Sequence, residues 1–81
     1  MDVWYKNPLV NIVYESIKKL SREGEIPVGE EELLAFLRRA RIEVSAQDLS
    51  KILMTLERLG YIHVFLSTKE DRLIRFVKGN D

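Results

Sequence analysis

The sequence predicts an α+β domain, mostly α, in which three helices are followed by a two-stranded hairpin. Three observations carry this. Apolar residues recur at helical spacing in three separate stretches. The last of these ends in Leu59-Gly60 and runs directly into Tyr61 to Leu66, a run rich in β-branched and aromatic residues. A polar turn, Ser67 to Asp71, then separates that run from a second one, Arg72 to Val77. Helical periodicity that gives way to two β-rich runs around a turn reads as helix, strand, turn, strand.

The third helix is the best marked. Ser45 followed by Asp48 approximates a capping box and predicts a start at Ala46. Leu49, Ile52, Leu53, Leu56 and Leu59 form one apolar stripe that must face inward. Gly60 stands where a left-handed C-terminal cap is wanted. Gln47, Ser50, Lys51, Met54, Thr55 and Arg58 are left on the outer side. Of these, Gln47, Lys51, Met54 and Arg58 follow at steps of four, three and four and share one surface.

The stretch Leu53-Met54-Thr55-Leu56-Glu57-Arg58-Leu59-Gly60-Tyr61-Ile62 resembles the winged helix-turn-helix family, at the point where its recognition helix enters its wing. The resemblance implies a three-helix winged helix-turn-helix with a C-terminal β-hairpin wing. It also implies a short strand between the first two helices, for which Glu25-Ile26-Pro27-Val28 is the candidate. The fold serves both DNA readers and protein-docking modules, so it does not by itself fix the function.

The first helix should open at Asn7-Pro8, with Asn as N-cap and Pro at the first helical position. Leu9, Ile12, Val13, Ile17 and Leu20 supply its apolar side, and Gly24 should end it. Gly29-Glu30-Glu31-Glu32 opens the second, with three acids where the helix dipole favours them. Consecutive glutamates diverge around a helix, so they do not converge on a metal ion. Leu33, Leu34, Phe36, Leu37 and Ala40 form its buried side, and Arg38, Arg39 and Arg41 crowd its end. Ile42 and Val44, in the turn before the third helix, should plug the core. In the hairpin, Ile62, Val64 and Leu66 share one face, with Tyr61, His63 and Phe65 on the other. Apolar residues on both faces suggest that part of the hairpin is covered.

The 81 residues allow one domain, 1–81, with an apolar flap at 1–6 and a frayed tail at 79–81. Trp4 and Tyr5 in that flap either fold back on the core or anchor a dimer or partner. Hydrophobic residues at 46% and charged residues at 32% suit a folded chain. There is no cysteine, no Gly-rich phosphate loop, no metal-ligand cluster and no nucleophile beside a base, so the expectation is a non-enzyme without cofactor or metal. Lone His63 has no second ligand to complete a site. No apolar run reaches the ~20 residues that span a bilayer, and no secretion signal opens the chain, so a cytoplasmic location without membrane insertion is expected. Abundant Glu, Lys and Arg with one Gln lean toward a thermophile composition.

The formal net charge is +0, which is unusual for a dedicated nucleic-acid binder. The charge is sorted, however: residues 1–37 hold seven acids and four bases, residues 38–81 six acids and nine bases.

The resemblance therefore implies double-stranded DNA as partner. The third helix would enter the major groove through Gln47, Ser50, Lys51, Thr55 and Arg58. Lys69 and Arg72 of the wing would lie on the backbone or minor groove, with Arg38, Arg39 and Arg41 on phosphates. So few contacts call for a homodimer on a two-fold site. The alternative is a protein-docking module or accessory subunit of a larger assembly, with Trp4, Tyr5, Met54 and Phe65 as interface candidates; Met54 itself suits either a thymine methyl or a protein surface. A continuous positive strip over the third helix and wing would favour the first reading, and a mixed or acidic surface the second.

Overall fold

A computed structural model describes residues 8–78, and the statements below refer to these. The expected Asn7 cap, the 1–6 flap with Trp4 and Tyr5, and the 79–81 tail lie outside them. The element order is α1 (Pro8–Leu20), β1 (Val28–Gly29), α2 (Glu30–Arg39), α3 (Ala46–Arg58), β2 (Ile62–Leu66) and β3 (Arg72–Phe76). The strands form one antiparallel sheet in the order β1-β3-β2. Val28 pairs with Ile74, and Ile62 to Leu66 pair with Phe76 to Arg72. The expected strand between the first two helices is present, but only over Val28–Gly29.

The core lies where the helices meet the inner face of this sheet. Val10, Val13 and Ile17 of α1, Leu33 and Leu37 of α2, and Leu49, Ile52, Leu53 and Leu56 of α3 are buried against Val28, Ile62, Ile74 and Phe76. Val44 plugs the core from the turn, and Ile42 packs against its margin.

Three expected core positions differ. Leu59 is 43% exposed, because the helix has ended and Leu59 is its C-cap. Ile12 is 38% exposed, because α1 turns the line of Val10, Val13 and Ile17 inward. Ala40, beyond the last turn of α2, is exposed. In the hairpin, Leu66 shares a face with Ile62 and Val64 but is 65% exposed.

The helix ends are closed by local chemistry. At the start of α3 the Ser45 hydroxyl accepts the Asp48 N–H at 3.0 Å. At its end, Gly60 takes φ 86°, its N–H donates to Glu57 O, and the Tyr61 N–H donates to Leu56 O, both at 3.0 Å. This Schellman closure turns the chain from α3 into β2 within three residues. The end of α2 has the same pattern: Arg41 N–H to Arg38 O at 3.0 Å, and Ile42 N–H to Leu37 O at 2.9 Å. Here the left-handed position is held by Arg41 at φ 63°, where glycine is the unstrained choice.

The first helix stops at Leu20, before the expected Gly24. Buried Ser21 explains this: its hydroxyl donates to Lys18 O at 3.2 Å and accepts the Gly24 N–H at 3.1 Å, folding the chain into a turn. Gly24 itself takes φ 99°, and a side chain there would meet Phe76 O at 3.2 Å.

Two variants check this packing by denaturant unfolding. Leu53→Ala should cost about 2–5 kcal/mol, as for other buried leucines, whereas Leu59→Ala should cost under ~1 kcal/mol. Arg41→Gly should stabilise the protein by about 1 kcal/mol by relieving the left-handed strain.

Candidate nucleic-acid interface

Burial of Leu49, Ile52, Leu53 and Leu56 fixes the rotation of α3 and hence the residues opposite that stripe. These are Gln47, Lys51, Met54 and Arg58, all exposed, with Met54 at 55%. The two acids of α3 lie to either side. Glu57 shares a flank with Ser50, and Asp48 shares the opposite flank with Thr55, each pair seven residues apart. The outermost stripe thus carries two cations, an amide and a thioether, and no acid.

Ser50 and Thr55 are half-buried on the flanks. The Thr55 hydroxyl donates to Lys51 O at 3.2 Å, so its proton is already used. Ser50 and Gln47 line an open groove with Glu30, Glu31, Leu34 and Arg72. No local sequence pattern marks this groove, because it joins the starts of α2 and α3 to the start of β3.

Within it, the Arg72 Nε lies 3.3 Å from the Glu30 carboxylate. Arg72 is therefore engaged by an acid of its own chain. Such a half-exposed pair stabilises by at most about 1 kcal/mol, so it is separable, but it neutralises one expected phosphate contact. A neighbouring groove is lined by Glu30, Glu31, Glu70, Asp71, Arg72 and Leu73, which makes this end of the face acidic.

The other end of α2 is basic. Arg38 and Arg41 line a shallow groove with Ile42, Glu43, Val44 and Ser45, beside the start of α3. Arg39 is exposed next to them. Charge is thus divided along α2, with acids at its start beside the hairpin tip and arginines at its end.

The hairpin is tied to α3. One Glu57 oxygen, Oε2, accepts the Val64 N–H at 3.1 Å and lies 3.6 Å from His63 Nδ1. This satisfies a donor on the outer edge of β2, an edge strand that otherwise invites pairing with another chain. The tip is closed by Ser67, whose hydroxyl accepts the Lys69 and Asp71 N–H groups at 3.2 Å each. Lys69 is exposed there beside Glu70 and Asp71. Phe65 is half-buried on the hairpin's outer face.

Among the described residues, no group of three or more His, Asp or Glu is placed to hold a metal ion, and no helix is long and apolar enough to cross a membrane. No protein-family model, curated protein or solved structure matches this chain.

Glu57→Ala should release the hairpin edge without unfolding the core. Amide exchange at Val64 should rise at least several-fold, with a stability loss of about 1–3 kcal/mol. Unchanged Val64 exchange would show that Glu57 does not protect that edge.

Proposed function

We propose that the chain is a winged helix-turn-helix protein that binds double-stranded DNA, with α3 in the major groove and the β2–β3 hairpin as the wing. The observation that carries this reading is the acid-free stripe of Gln47, Lys51, Met54 and Arg58, set opposite the buried side of α3. Lys51 and Arg58 can reach phosphates or guanine edges, Gln47 an adenine edge, and Met54 a thymine methyl. Ser50 stands at the groove margin. Thr55 is placed to give van der Waals contact, since its hydroxyl proton is committed to the helix.

The basic cluster sets the approach. Arg38, Arg39 and Arg41 attract phosphates, while Glu30, Glu31, Glu70 and Asp71 repel them, so the duplex lies toward the arginine end. Lys69 is the wing's phosphate contact; Arg72 joins it only by leaving Glu30. With net charge +0, one copy holds few phosphates, and a homodimer on a two-fold site supplies the missing affinity. Transcriptional regulation is the role that fits a reader of this size.

A second reading, a winged-helix module that docks a protein, is favoured by one specific observation. The acids at the start of α2 border the same face as exposed Met54, and a mixed acidic and apolar surface suits a protein better than a phosphate backbone.

A mobility-shift titration at low salt separates the two. The DNA reading expects duplex binding that weakens steeply as salt rises. Lys51→Ala and Arg58→Ala should each reduce the salt slope by about 1. Absence of any duplex complex, together with recovery of a stoichiometric protein partner from source-cell extract, would establish the docking reading instead.

A further inference from the structure

The outer face of the β2–β3 hairpin carries a group of side chains that neither the core nor the α3 face uses. The inner face takes Ile62, Val64, Ile74 and Phe76. The pleat therefore puts His63, Phe65, Leu73 and Arg75 on the other side. In the register His63 stands opposite Arg75, and Phe65 opposite Leu73. Phe65 and Leu73 are only half-buried, and neither packs against the core. The His63 and Phe65 rings lie 6.1 Å apart and within 16° of parallel. The Arg75 guanidinium sits 5.4 Å from the Phe65 ring centre.

We infer that this face is a stacking platform for unpaired bases of single-stranded nucleic acid. The chemistry selects a flat aromatic group next to a negative charge. Phe65 and His63 offer ring surfaces aligned in one direction, and base–aromatic stacking tolerates every base. Arg75 stacks on a base or pairs with the adjoining phosphate. Leu73 extends the apolar floor. None of the four side chains is acidic. The nearest acids are Glu57, whose carboxylate is turned to the Val64 N–H and His63, and Glu30, Glu31, Glu70 and Asp71, which line one groove with Leu73. The strand therefore runs over the His63–Arg75 end.

A second copy of the chain is a poorer occupant. Four side chains fall well short of the roughly 20 residues per side of a stable interface, and self-pairing would bring Arg75 and His63 of two copies close together.

The platform is independent of duplex binding by α3, and the test keeps them apart. Fluorescence anisotropy compares a labelled oligothymidylate with an abasic strand of equal length and charge. The wild type should prefer the base-bearing strand by about fivefold or more. Phe65→Ala should abolish the preference, Phe65→Trp should keep it, and Arg75→Gln should weaken both strands. Lys51→Ala should leave the preference intact. Equal affinity of the wild type for the two strands would overturn the inference. So would unchanged preference in Phe65→Ala, or sedimentation showing that Phe65→Ala dissolves a dimer. Since Phe65 lies outside the core, its variants should keep the wild-type melting profile, which circular dichroism checks.

Discussion

Everything on the outer surface of this protein depends on the burial of one leucine-rich side of α3. Leu49, Leu53 and Leu56 are fully buried and Ile52 nearly so. Rotating the helix by a single residue would expose apolar side chains and bury charged ones, at a cost of several kcal/mol. The core therefore fixes the azimuth of α3, and with it the set of residues presented outward. Lys51 and Arg58 are exposed because the core leaves them no other place.

The hairpin follows from the same helix. The closure at Gly60 and Tyr61 leaves little freedom between α3 and β2, and Glu57 adds a side-chain tie across the joint. On the other side, β3 pairs with β1, which leads directly into α2. The sheet thus couples both ends of the helix pair. This rigidity matters for either proposed partner, since a pre-set surface pays less ordering entropy on binding. The charge pattern is directional as well: α2 begins with acids and ends with arginines.

Much of the fold was legible in the sequence because its signals are local. The Ser45 cap, the leucine spacing and the Leu59-Gly60 stop each act within a few residues, and the polar turn at Ser67–Asp71 divides the two strands. The misplacements occurred at helix ends and at the edge of a buried arc. Leu59 and Ile12 fit the apolar spacing, but spacing alone does not show where a helix ends or how far its buried arc extends. The end of α1 was set by Ser21, whose buried hydroxyl closes a turn that Gly24 only accommodates. The candidate site was legible in part. Periodicity identified Gln47, Lys51, Met54 and Arg58 as one surface. The Glu30–Arg72 pair, the Glu57–Val64 tie and the placing of Arg75 over Phe65 depend on strand register and on elements distant in sequence, which no local pattern encodes.

The central claim is that α3 offers its acid-free stripe to duplex DNA. Titrating a short DNA duplex into the isotope-labelled protein and following backbone amide shifts by nuclear magnetic resonance tests it residue by residue. The account predicts the largest changes at residues 47, 51, 54 and 58, with smaller ones at 38–41 and 69, and little change at the acid-lined start of α2. Changes centred on 30, 31, 70 and 71, or no changes at low salt, would contradict it.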